Sequence, residues 1–167
     1  PVDYLFCCTK SYVLEENIAQ LTPVIGPNTV IIPLLNGANI TERIQQLLPN
    51  NEIWKGCVYI GSRLTEPGVV EKFSLKERIF FGNKDANKDK QTELLKLLMY
   101  ARLNAFNPAD IDLRIWKKFF MISTAATITS YFNETIGEVI NNHIDLFITL
   151  GYAVSYTHLT LPTNSLV

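Results

Sequence analysis

Three polar residues stand where chemistry could be done: Lys10, Asn36 and Lys118. Lys10 follows the apolar run Val2-Asp3-Tyr4-Leu5-Phe6-Cys7-Cys8-Thr9, and Asn36 follows Val30-Ile31-Ile32-Pro33-Leu34-Leu35. Each run reads as a buried strand, and open α/β sheets bind ligands at the carboxyl ends of their parallel strands. An ammonium there can meet a phosphate, a ribose hydroxyl or a carboxylate. Gly37, next to Asn36, would let the backbone approach a ligand closely. Two ordinary readings stand beside this one: Lys10 as a solvated loop lysine, and Asn36-Gly37 as a common turn. The turn, however, joins a strand to a helix rather than to a hairpin partner. Lys118 falls between Ile115 and Ile122 at helical spacing, on or beside an apolar stripe. A lysine there must snorkel out or face a cleft. Desolvation lowers a lysine's pKa, which would make a buried one a proton donor near neutral pH.

Other candidates are weaker. His143 sits alone on a helix and reads as a surface or packing histidine. No metal-ligand spacing and no nucleophile–base pairing can be assigned. Asp110 and Asp112 flank a helix start, where acidic caps are ordinary.

The elements that must position these residues can be read from periodicity. A helix with Leu14, Ile18 and Leu21 on one stripe follows the first strand and ends around Pro23 to Pro27. After the second strand, Asn39-Ile40-Thr41-Glu42 offers a cap for a helix whose face is Ile40, Ile44, Leu47 and Leu48. Two strands joined by a helical crossover make a right-handed parallel unit. Ile53 to Leu64 is then strand-like, Thr65-Glu66-Pro67-Gly68 suits a type II turn, and Val69–Phe73 and Arg78–Gly82 return as an antiparallel meander. Asn83 to Asp89 reads as a loop before a helix with Leu94, Leu97, Leu98 and Ala101 on one face. A long buried helix with Ile111, Ile115, Phe119, Ile122 and Ala126 on one side follows, then another from Thr135 to about Ala153. The shift near Asn107-Pro108 is the expected domain boundary.

Bulk properties narrow the classes. The chain has 167 residues, 47% apolar and 19% charged, with a net charge of −1 and no block of like charges. Nothing in this suggests a nucleic-acid or membrane-surface partner. No apolar run approaches the ~18 residues of a membrane span, and no signal peptide is evident. The odd set Cys7, Cys8 and Cys57 forms no CxxC pair and reads as buried thiols in a reducing compartment, so the expected location is cytoplasmic.

Five local signatures, weak singly but specific in this order, carry a family resemblance: Cys8-Thr9-Lys10-Ser11-Tyr12, Pro33-Leu34-Leu35-Asn36-Gly37, Leu64-Thr65-Glu66-Pro67-Gly68-Val69-Val70, Ile79-Phe80-Phe81-Gly82, and Asp110-Ile111 followed by Trp116-Lys117-Lys118-Phe119. Over nearly all of residues 1–153 the chain resembles ketopantoate reductase (2-dehydropantoate 2-reductase), an NADPH-dependent enzyme of pantothenate synthesis. The resemblance implies an α/β fold: residues 1–107 as part of a Rossmann-type NADP-binding domain with an antiparallel meander, and 108–153 as the start of an all-helical domain for substrate and dimerisation. It implies that Lys10, Asn36 and Gly37 bind the cofactor, that Asn36 and Lys118 bind substrate, and that Lys118 is the catalytic acid. The partners it implies are NADP and a small 2-oxo acid, with a homodimer at full length.

The family's GxGxxG turn and its basic NADP-selecting residue would precede residue 1, and its last helices would follow the chain. The sequence is therefore expected to be an internal fragment, inactive by itself. Residues 154–167 resemble a translated sequencing adapter and are expected to be non-native, with His158 outside any mechanism. Where the family often carries asparagines four and eight residues after the catalytic lysine, this chain has Ile122 and Ala126. That pattern fits a paralogue acting on a different 2-oxo acid. Alternatives within the same fold are a hydroxy-acid or polyol-phosphate dehydrogenase and a non-catalytic ligand-binding or assembly module.

Overall fold

The structure, a computed structural model, describes residues 1–74 and 76–155. The first apolar runs form a parallel sheet of β1 (Tyr4–Cys7), β2 (Val30–Pro33) and β3 (Glu52–Ile53), with β2 in the middle. The strands are shorter than the apolar runs, but pairing continues past their ends: Val30 N donates to Asp3 O (2.9 Å) and Leu34 N to Cys7 O (2.8 Å). α1 (Leu14–Leu21) follows β1 and α2 (Ile40–Leu47) follows β2. Alternation along β2 divides the core in two. Ile31 packs with Leu14, Ile18, Ile40 and Ile44 on one face, while Val30 and Ile32 pack with Trp54, Phe81, Leu94 and Leu98 on the other. Val30, Ile31 and Ile32 are fully buried. At ~1.5–3 kcal/mol per buried aliphatic side chain, these three fix which strand is central.

The single meander expected after residue 53 is divided between two sheets, one of three strands and the other a separate hairpin. β4 (Lys55–Tyr59) leaves the parallel sheet at Trp54, whose N–H donates to Ile31 O (2.9 Å). β5 (Ser62–Glu66) and β6 (Val69–Lys72) form a two-stranded hairpin of their own, turned at Gly68 with φ +81°. β7 (Arg78–Gly82) then pairs antiparallel with β4, and β8 (Ala105–Phe106) pairs parallel with β7. Two residues are too few to give β8 a readable period. β4 runs hard against the end of β2 because Gly56 lacks a side chain. A Cβ there would lie 2.6 Å from Pro33 O and 2.9 Å from Ile32 Cγ2.

Two helical faces differ from the expected ones. α3 (Lys88–Tyr100) buries Gln91, Leu94 and Leu98, while Leu97 is half exposed and Ala101 is exposed. Its start is set by Asn87, whose side chain accepts from Asp89 N (2.7 Å) and Lys90 N (3.4 Å), satisfying two otherwise orphan donors. At α2, by contrast, Asn39 makes no side-chain cap, and Leu47 is 40% exposed.

The chain separates into two compact units, Pro1–Ile115 and Trp116–Val167, with the division inside α4 (Ile111–Phe132). Along α4 the buried positions are Ile111, Lys118, Phe120, Thr124 and Ile128. Of the expected stripe, Ile115, Phe119 and Ile122 are partly buried and Ala126 is exposed. The last expected helix is two: α5 (Ile136–Asn142), opened by a Thr135/Glu138 capping box, and α6 (Ile144–Ser155). His143 breaks them. Its N–H closes α5 on Val139 O (2.8 Å) and its carbonyl accepts from Phe147 N (3.0 Å), while its ring stacks on Phe132 at 3.8 Å. Among the described residues, no helix is long and apolar enough to cross a membrane. The tail expected to be non-native continues α6 to Ser155; its remainder, His158 included, lies outside the described residues.

Candidate functional site

The two strand ends converge. The segments leaving β1 (Cys8 to Tyr12) and β2 (Leu34 to Asn36) line one cleft of about 310 Å³. Lys10 and Asn36 therefore share it, as their positions at adjacent carboxyl ends require. The Leu34 N–Cys7 O hydrogen bond fixes the spacing of the two segments just before they diverge. Both side chains are exposed, and neither has a hydrogen-bond or ion-pair partner among the described residues. Lys10 has extended backbone (φ −77°, ψ 147°), so the chain leaves β1 straight and turns into a short 3-10 turn, Ser11–Val13, only after it. Gly37 has φ +135°, a conformation that L side chains rarely adopt, and an added Cβ would press on Ile40 at 3.0 Å. The turn after Asn36 is thus one that glycine makes possible.

Thr9, which also lines the cleft, carries a further unsatisfied atom. Thr9 Oγ1 is buried and has no hydrogen-bond partner. An orphaned hydroxyl in the wall of an open cleft costs free energy unless a ligand or water satisfies it. Cys7 ends β1 and Cys8 follows it; Cys7 and Cys57 are buried as expected, but Cys8 is exposed, because it leaves the sheet at the strand end. Burial pushes the Cys7 thiol up to about 11, aided by Cys8, and partial desolvation raises Cys8. At neutral pH both stay protonated and are poor nucleophiles. The cleft can hold a polar, hydroxyl-bearing or anionic ligand.

One residue shaping this site escaped the sequence reading. Arg43, on α2, donates from Nη2 to Ser11 O (2.8 Å) and to Glu15 Oε1 (2.6 Å), and from Nε to the same carboxylate oxygen (3.1 Å). It ties the helix after β2 to the loop after β1 at the mouth of the cleft. The Arg43 hydrogen bond holds the Glu15 carboxyl below the usual carboxylate range. A lone arginine on the polar face of an amphipathic helix carries no periodic signal that could have announced this. Arg43→Ala is expected to raise the KM of whichever ligand the cleft takes by roughly three- to tenfold with little change in Tm. Steady-state kinetics and a thermal melt check this; unchanged KM values would remove Arg43 from the site.

Lys118 belongs to the second unit. It lies on α4 and is only 6% exposed, so it does not snorkel to the surface. Among the described residues, no group of His, Cys, Asp or Glu could hold a metal ion.

Comparison with known proteins gives these features a context. The sequence profile of ketopantoate reductase PanE/ApbA matches residues 1–86. The uncharacterized oxidoreductase YkpB of Bacillus subtilis (strain 168) is 28% identical over 142 residues, covering 83% of this chain and 46% of its own. Among solved structures, 2-dehydropantoate 2-reductase from Porphyromonas gingivalis W83 aligns with a TM-score of 0.82 at 43% identity, over 92% of this chain and 54% of that one. D-mandelate dehydrogenase in complex with NADH aligns with the same TM-score of 0.82 at 22% identity, over 92% and 52% of the two chains, a likeness of fold. The chain spans about half the length of the curated relatives it matches.

Proposed function

Since this chain belongs to the ketopantoate reductase PanE/ApbA family, we propose that the whole protein is an NADPH-dependent reductase of a 2-oxo acid, turning 2-dehydropantoate (ketopantoate) into pantoate in pantothenate synthesis. On this reading residues 1–107 are part of the NADP-binding domain and 108–153 begin the helical domain for substrate and dimerisation. The enzyme works in the cytoplasm.

One observation carries the proposal. Lys10, Asn36 and the orphaned Thr9 hydroxyl share a single cleft at the carboxyl ends of two adjacent parallel strands, with no partners for their polar groups among the described residues. This donor set fits the ribose and carboxamide end of a nicotinamide nucleotide. Lys10 would hold ribose hydroxyls, and Gly37 would let the main chain come close. Asn36, with both a donor and an acceptor, would orient the substrate. Bound nicotinamide supplies the hydride that reduces the ketone carbon. Lys118 would give its proton to the ketone oxygen as negative charge develops there, and a preorganised cation at that oxygen is the larger part of such catalysis.

A second reading, oxidation or reduction of another hydroxy-acid/oxo-acid pair, is favoured by Ile122 and Ala126 on α4 in place of polar side chains. NADPH consumption by the whole protein, with ketopantoate against bulkier 2-oxo acids, separates the two; turnover of a bulkier acid alone would replace ketopantoate as the substrate. Lys10→Ala should raise the KM for NADPH or for the oxo acid by about tenfold, the loss of one charge-assisted hydrogen bond, with a smaller change in kcat. Two unchanged KM values would count against Lys10 as a ligand-binding group.

A further inference from the structure

We propose that the face of β4 and β7 carries a second ligand site, a pocket for a compact phosphate-type dianion. A cleft of about 300 Å³ is lined by Tyr59, Lys76, Arg78, Phe80 and Arg114. Its lining holds three cations and no carboxylate. The ladder explains why they meet. Arg78 and Phe80 share one face of β7, opposite Ile79 and Phe81 in the core, and Tyr59 lies directly across from Arg78 in the β4–β7 register. Arg114, in the first turns of α4, lies over the Phe80 ring at 5.1 Å, and Tyr59 meets the same ring edge-on at 5.9 Å.

The acids nearby are committed elsewhere. Glu77, between Lys76 and Arg78 in sequence, pairs with Lys72 (2.6 Å). Asp112 is paired with Lys55, and Asp110 accepts from Leu113 N (2.9 Å). Three positive groups around one concavity repel each other unless an anion joins them. Two guanidiniums and an ammonium match the oxygens of a phosphate dianion, which can take paired N–H donors from each arginine. Phe80 holds Arg114 in place beforehand, so less side-chain freedom is lost on binding. All five residues belong to the Pro1–Ile115 unit, and none lines the cleft of Lys10 and Asn36. The proposal is therefore independent of the reductase reading.

The test is calorimetric titration of the whole protein with inorganic phosphate at constant ionic strength, chloride serving as the balancing anion. Wild type should bind, and Arg78→Gln and Arg114→Gln should each weaken the affinity roughly tenfold or more, the double variant abolishing that binding event. Lys76→Gln, on an exposed loop where it cannot unfold the chain, should weaken it by a smaller factor. No phosphate heat in the wild type, or the same affinity in the double variant and in Lys76→Gln, overturns the site.

Discussion

Replacing Lys118 with alanine in the whole protein is expected to lower kcat by roughly 10²-fold or more, the range lost when a general acid is removed. The physical ground is its position. An ammonium only 6% exposed on α4 forgoes most of its hydration, so its surroundings rather than solvent fix where its proton points. Lys118→Arg should not restore the rate, because a guanidinium keeps its proton at any working pH. The pH profile gives an independent reading. An acid must be protonated to act, so wild-type kcat should fall as pH rises through the lysine's titration, and the alanine variant should lose that limb. A near-normal kcat, or a profile that keeps the limb, would remove Lys118 from the mechanism.

The second large effect concerns stability. Trp54→Ala is expected to destabilise the sheet by about 3–5 kcal/mol, the range for deleting a large buried aromatic. Trp54 is fully buried and stacks on Phe81 with centroids 6.0 Å apart and planes 9° from parallel, with Tyr4 tilted against it at 6.0 Å. Its indole N–H donates to Glu52 Oε1 at 2.7 Å, and Glu52 also receives Lys90 at 3.2 Å. Removing the ring leaves a cavity and strips a partner from a carboxylate, two costs that add. Trp54→Phe keeps most of the ring and should lose less than half as much. Chemical denaturation followed by circular dichroism measures both; an alanine variant within ~1 kcal/mol of wild type would show that the site collapses around the gap.

What could be read from the chain beforehand follows from which forces are local. Val30-Ile31-Ile32 announced a central strand because a strand buried on both faces is apolar without alternation, and both site-bearing strand ends followed from it. Faces along helices were less legible. Leu97 and Ala101 look equivalent to Leu94 and Leu98 by period, yet α3 turns Gln91 inward instead. The Gln91 amide reaches Asn83 O (2.8 Å) and accepts from Asn107 Nδ2 (2.8 Å), and that polar network outweighs an apolar match. The break at His143 rests on a ring stack with Phe132, a contact eleven residues away that no window of sequence records. Asn39 has the right type for a cap but a backbone of φ −107°, ψ 16°, outside the extended region an N-cap side chain needs. Arg43 is a related case: residue type was visible, and its partners Ser11 and Glu15 were not.

Gly56 has a consequence that reaches the cleft without touching it. The gap between β4 and the end of β2 is set by the Pro33 carbonyl and the Ile32 and Leu34 side chains, all packed against a bare Cα. Any side chain placed there would act as a shim, forcing either β4 or the Pro33-Leu34 segment that leads to Asn36 to shift. The spacing of the cleft wall is thus tied to a position behind the sheet that does not line the cleft.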